Sequence, residues 1–138
     1  MEDLVGILVV EDDQLIQSVV EEALTEGGFE VVIASSGEQA VELLDAATCK
    51  CRALVTDIGL GRGKMDGWAV ARHARENKPD VPIIYMSGES AEDWVSQGVP
   101  NSIMLTKPFA PAQLVTAVSQ FLNSATPTTQ AGSGSDLS

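Results

Sequence analysis

Val5 to Val10 is an unbroken apolar run carrying one glycine, the pattern of a strand buried on both faces of a parallel sheet. Glu11-Asp12-Asp13 follows it directly. From Gln14 to Glu26 the apolar positions Leu15, Ile16, Val19, Val20, Ala23 and Leu24 recur at helical spacing, and Gly27-Gly28 supplies the stop. Phe29 to Ala34 predicts a second strand. Ser35 and Ser36 can each cap the helix that follows, because Glu38 and Gln39 stand three residues after them respectively. That helix carries Ala40, Val41, Leu43 and Leu44 inward. Ala53 to Thr56 predicts a third strand ending on Asp57, and the glycine-rich stretch from Gly59 to Gly63 is a loop. Asp66 can cap a third helix from Gly67 to Asn77, which stops ahead of Pro79.

Val81 to Met86 predicts a fourth strand that ends on Ser87-Gly88, and Ser90 to Gln97 makes at most a short helix before Gly98-Val99-Pro100. Ser102 to Leu105 is the fifth strand. Pro111 suits the first turn of a last helix, whose Leu114, Val115, Val118, Phe121 and Leu122 form an apolar stripe. Strict alternation of five strands with five helices predicts an α/β fold, a doubly wound (βα)5 parallel sheet covered on both faces. In such open sheets, ligands bind beyond the carboxyl ends of the strands. After residue 123 the composition shifts mostly to Ser, Thr, Gly and Ala, so residues 1–123 read as one domain and 124–138 as a disordered tail.

Composition narrows the function. A chain of 138 residues, 44% hydrophobic and 20% charged, is one soluble domain without an apolar run long enough to span a membrane. Met1-Glu2-Asp3-Leu4 lacks the basic start of a secretory signal, so a cytoplasmic protein is expected. The net charge of −12, from 20 acidic against 8 basic side chains, repels a phosphate backbone and argues against nucleic-acid binding. Cys49 and Cys51 are too close in the chain to pair without strain and read as reduced thiols in a loop. His73, the sole histidine, stands between Arg72 and Arg75 and reads as a solvated helix side chain.

The candidate chemistry lies at the predicted strand ends. Glu11 and Asp12 follow the first strand, Asp57 ends the third, Ser87 ends the fourth and Lys107 follows the fifth, all on one sheet edge. Taken singly, such acids are helix caps or solvated loop residues, and a lysine is surface. Together they have a shared logic. Crowded carboxylates repel one another unless a cation is present, and an all-oxygen set without histidine selects magnesium, or manganese, rather than zinc. Such an ion keeps open positions for phosphoryl oxygens while the Asp57 carboxylate attacks phosphorus. Ser87 and Lys107 then supply a hydroxyl donor and a fixed positive charge.

Through Val9-Val10-Glu11-Asp12-Asp13, Val55-Thr56-Asp57, Met65-Asp66-Gly67, Met86-Ser87-Gly88 and Lys107-Pro108-Phe109, residues 4 to 123 resemble the receiver domains of two-component response regulators. The resemblance implies a flavodoxin-like, single-domain phosphorylation switch rather than a turnover enzyme. It takes its phosphoryl group from a histidine kinase or phosphotransfer protein and signals to a downstream protein effector. It further implies Asp57 as phosphoacceptor and Asp12 as direct metal ligand. Glu11 would act through water, the Gly59 carbonyl would complete the metal shell, Ser87 and Lys107 would be the switch hydroxyl and lysine, and the Lys107-Pro108 bond would be cis. Two features depart from the family pattern: Gly61-Arg62-Gly63-Lys64 lengthens the loop after Asp57, and Met104 stands where an aromatic switch residue is common. Tyr85 reads as a core residue.

Two rivals fit the same architecture less well. A metal-dependent phosphatase would place a second acid two residues after the nucleophile, where this chain has Gly59. A flavin module would need a phosphate-cradling loop after the first strand, where this chain has Glu11-Asp12-Asp13.

Overall fold

Side chains alternate across a strand, and here the alternation sorts the apolar residues of the central strands into two separate cores. The computed structural model describes residues 5–46, 50–60, 65–88 and 93–125. In chain order the elements are β1 (Val5–Val10), α1 (Gln14–Glu26), β2 (Phe29–Ala34), α2 (Gly37–Asp45), β3 (Cys51–Asp57), α3 (Gly67–Asn77), β4 (Ile83–Ser87), α4 (Trp94–Gln97), β5 (Ser102–Thr106) and α5 (Pro111–Ala125). The strands form one parallel sheet in the order β2-β1-β3-β4-β5. Ile7, Val9, Val55, Ile84 and Met86 face α1 and α5, meeting Val20, Leu24, Leu114 and Val118. Leu8, Val10, Leu54, Ile83 and Tyr85 face the other way, toward Ala40 of α2 and Trp68, Val70, Ala71 and Ala74 of α3. Each of the buried Val, Leu, Ile and Met side chains is worth about 1.5–3 kcal/mol relative to exposure.

The doubly wound α/β architecture expected from the alternation is therefore present, with differences at the edges. In α1 only part of the apolar stripe is used: Val20, Ala23 and Leu24 are buried, whereas Leu15 is 79% and Val19 50% exposed. Ser36, and not Ser35, caps α2 by accepting from the Gln39 amide; the Gln39 side chain returns to the amide of Ser35. β3 begins at Cys51 because that residue already pairs with Gly6 of β1. Cys51 is thus a strand residue, contrary to the loop expectation; Cys49 lies outside the described residues. β4 begins two residues later than the apolar run, since the Val81 amide is taken by the Lys78 carbonyl and Pro82 has no amide to offer.

His73 is not simply solvated, as its neighbours Arg72 and Arg75 suggested. Its Nε2 lies 2.7 Å from Asp45 Oδ1, and Asn77 donates to the same oxygen at 2.9 Å, so this trio ties α3 to the end of α2. The His73 and Asn77 contacts hold the exposed Asp45 carboxyl below its ordinary value. The 61–64 insertion, residue 89, residues 90–92 of the expected fourth helix and residues 126–138 lie outside the described residues. α5 continues to Ala125, two residues past the expected boundary. Among the described residues no helix is long and apolar enough to cross a membrane.

Candidate functional site

The carboxyl ends of β1, β3, β4 and β5 converge because those strands run parallel and adjacent; β3 and β4 end on Asp57 and Ser87, and Glu11 and Lys107 directly follow β1 and β5. Glu11 leaves β1 with its amide donating to the Ala34 carbonyl at 3.0 Å. Its side chain is turned inward, 1% exposed, and Oε2 accepts from the Asp13 amide at 3.1 Å. Asp12 is exposed on the next position. Asp13 belongs to the helix instead, capping α1 by accepting from the amides of Leu15 and Ile16. Three consecutive acids thus take three different environments.

Asp57 closes β3 and is 8% exposed. Its Oδ1 accepts from the Ile58 amide at 2.9 Å, and that amide also points at the Met86 carbonyl of β4, 3.2 Å away. The turn after Asp57 is pinned further by Gly67, whose amide donates to the Ile58 carbonyl at 2.8 Å. The start of α3 therefore lies directly against the backbone of the Asp57 turn, an approach that only a residue without a side chain allows. Gly59 sits exposed at the far side of this turn.

Ser87 ends β4 and is 4% exposed. Because Asp57 is in register with Met86, Ser87 stands one residue closer to the sheet edge. Its carbonyl accepts from the Lys107 amide at 2.7 Å, which fixes the end of β5 beside it. Lys107 then turns back over the edge, its bond to Pro108 being cis as expected. Its Nζ lies 3.2 Å from Glu11 Oε1 and 3.3 Å from Asp57 Oδ1.

The electrostatics follow from this crowding. Burial, with the charge of Asp57 added to it, pushes the Glu11 carboxyl up to about 7 despite the Asp13 amide and Lys107. Burial also raises the Asp57 carboxyl, partly offset by Lys107, and Asp12 adds to the rise. Burial works against the Lys107 ammonium, but Asp57 and Glu11 outweigh it and hold the group above its ordinary value. One cation is thus shared among more carboxylates than it can neutralise. Glu11, Asp12 and Asp57 each bring a carboxylate oxygen within 4.8 Å of the others. An all-oxygen donor set with excess negative charge fits a hard divalent ion such as magnesium or manganese.

Residues that the sequence did not single out position this site. Gln17 on α1 donates from Nε2 to the Glu11 carbonyl at 2.6 Å and to Ser35 Oγ at 3.2 Å. Glu38 at the start of α2 accepts from the Met65 amide at 3.1 Å. Gly67 was legible only as part of a motif; a glycine at the first turn of a helix, where it gains nothing locally, was its one signal. Tyr85 is a core residue as expected, fully buried with its ring centroid 4.6 Å from that of Trp68. Its hydroxyl also accepts from the Val99 amide at 3.1 Å, a role the apolar pattern could not express. Met104 lies next to Tyr85 in the β4–β5 register and packs against the same core.

Residues 7–119 match the family model of the response regulator receiver domain. Over 133 residues, 93% of this chain, the sequence is 32% identical to the response regulator MprA of Mycolicibacterium vanbaalenii, of which the matched part is 54%. It is also 32% identical over 119 residues to the sensor kinase CckA of Brucella abortus, covering 84% of this chain and 12% of that protein. The chain thus spans about half the length of MprA and a small part of CckA. Among solved structures, a response regulator receiver protein from Sinorhizobium medicae superposes with a TM-score of 0.81 at 47% identity, covering 90% of this chain and 98% of that one. The receiver domain of the sensor histidine kinase PA1611 of Pseudomonas aeruginosa, solved with magnesium coordinated in its active-site cleft, superposes with a TM-score of 0.73 at 27% identity, covering 88% and 99% respectively.

Proposed function

The chain belongs to the response regulator receiver domain family, and from that premise we propose that Asp57 accepts a phosphoryl group from a histidine kinase or a histidine phosphotransfer protein. The observation that carries this reading is the placement of Lys107 Nζ within 3.3 Å of Asp57 Oδ1, beside three clustered carboxylates on one sheet edge. An Asp57 oxygen attacks the phosphorus of a phosphohistidine. The P–O bond forms as the P–N bond breaks, and the imidazole leaves with a proton taken from solvent.

Lys107 already lies against Asp57 and offers its ammonium to the phosphoryl oxygens as their charge moves onto the aspartyl side. Ser87, buried at the neighbouring strand end, offers a hydroxyl to the same group. Asp12, Asp57 and the Gly59 carbonyl would hold magnesium or manganese, with Glu11 reached through water; when bound, the ion neutralises charge on the transferring oxygens. The output is a changed protein surface read by a downstream protein effector, and the net charge of −12 argues against DNA as a direct partner.

Incubation with acetyl phosphate and magnesium, followed by intact-mass measurement, tests the reading. Wild type should gain one phosphate and Asp57→Asn none. A labelled Asp57→Asn protein, or an unlabelled wild type, would overturn it.

A further inference from the structure

We propose that Gln17 is a positioning residue for the cation site, acting through the peptide that joins Glu11 to Asp12; this rests on the reading of the site given above. The Gln17 amide nitrogen has two hydrogens and both are directed at acceptors, the Glu11 carbonyl at 2.6 Å and Ser35 Oγ at 3.2 Å. The first acceptor matters most. The Glu11 carbonyl and the Asp12 amide share one rigid peptide plane, so holding that oxygen fixes the direction in which Asp12 leaves the strand.

Among the described residues no hydrogen bond anchors the Asp12 carboxylate in the same way. Glu11 is buried and Asp57 is held by the Ile58 amide, whereas Asp12 is exposed on the loop. Its carboxylate can stand among the other two only if the backbone beneath it is fixed. On one side the Glu11 amide is tied to Ala34 of β2, and on the other the Glu11 carbonyl is tied to Gln17. Gln17 is itself braced from the β2–α2 side, since it also reaches Ser35, whose amide donates to Gln39 Oε1 at 2.7 Å. The result is a link from the acid loop to the start of α2. Groups behind a metal ligand set its orientation, and their loss typically costs about 10–100-fold in metal affinity or activity.

Calorimetric titration of the full chain with magnesium chloride tests this in wild type, Gln17→Met and Ser35→Ala. Methionine keeps the length of the side chain and removes the N–H donors; alanine at the exposed Ser35 removes only one of the two acceptors. Gln17→Met should bind magnesium roughly tenfold more weakly, and Ser35→Ala should weaken it in the same direction by a smaller factor. The rate of labelling by acetyl phosphate at saturating magnesium should return to the wild-type value in both, which a general loss of structure would not allow. Wild-type magnesium affinity in Gln17→Met, or a labelling deficit that excess magnesium leaves in place, overturns the proposal. If Gln17→Met does not fold, wild-type affinity in Ser35→Ala overturns it instead. A wild-type chain that takes up no magnesium sinks the reading of the cation site itself.

Discussion

Gly67 stands so close to Asp57 that a Cβ built on it would lie 2.2 Å from the Asp57 carbonyl oxygen, and 2.8 Å from Cα of Ile58. Both obstacles are backbone, so neither can rotate away. Gly67→Ala should therefore push α3 off the Asp57 turn, costing about 1–3 kcal/mol of stability and slowing phosphorylation as well. Urea unfolding with parallel acetyl phosphate labelling checks this; a variant as stable and as readily labelled as wild type would show that the turn yields easily.

Asp12→Asn should separate chemistry from fold. Removing one of three clustered carboxylates should lower phosphorylation by on the order of a hundredfold or more, because charge neutralisation by a metal is worth several kcal/mol. The metal-free variant should unfold at a slightly higher temperature than wild type, since repulsion on Asp57 is relieved. Labelling at the wild-type rate would remove Asp12 from the metal site.

The stability of the metal-free chain should fall as pH rises through neutrality. The Glu11 carboxyl stands at about 7 in the folded protein against an ordinary value of 4.5. Between those values the folded state binds more protons than the unfolded one, so this contribution is full below the lower value and is lost by the upper. The raised Asp57 carboxyl acts in the same sense. The raised Lys107 contributes stability that is lost only at strongly alkaline pH. Denaturant melts at about pH 5 and about pH 7.5 should differ by on the order of 1–3 kcal/mol, the acid side being more stable. Magnesium, which favours the ionised carboxylates, should flatten the slope. A metal-free protein more stable at the higher pH would contradict the charge balance drawn here.

Tyr85→Phe tests the link between the core and the connection from α4 to β5. The change leaves the buried Val99 amide without the Tyr85 hydroxyl and should cost about 1–3 kcal/mol. Hydrogen exchange at Val99 should accelerate more than exchange in β1 or β3. Uniform acceleration across the sheet would mean that the bond serves global stability and not this connection.

The surface bordered by Ser87 and Lys107 is the expected output face. An added phosphoryl group at Asp57 would draw both side chains toward it, and the Lys107 amide is bonded to the Ser87 carbonyl. Trp94 opens α4, the helix after Ser87, and donates from its indole to Ser102 Oγ at the start of β5, 2.8 Å away. Beryllofluoride, a phosphoryl mimic, should shift backbone amides from 93 to 112 and alter Trp94 fluorescence relative to Trp94→Phe. Shifts confined to residues 57–67 would exclude this face.

By itself the sequence determined the elements and the edge on which chemistry would lie. Burial is written locally: a short apolar run such as Val5–Val10, bounded at once by Glu11-Asp12-Asp13, fits a strand covered on both sides, and the stripe of α5 fits a helix covered on one. Because every strand is followed by a helix, the polar residues after each strand had to share an edge, and Asp12, Asp57, Ser87 and Lys107 could be named from that alone. What the tertiary structure decided is which of them touch. Lys107 and Glu11 are 96 residues apart and meet at 3.2 Å only because β1 and β3 lie inside the sheet between β2 and β4. Strand order leaves no mark in hydrophobic periodicity. For the same reason the sequence could not divide Glu11, buried and raised toward neutrality, from exposed Asp12 and helix-capping Asp13. Nor could it reveal the Gln17, Gly67 and His73 contacts, each made with a residue outside its own helix whose distance is fixed by packing rather than by local pattern.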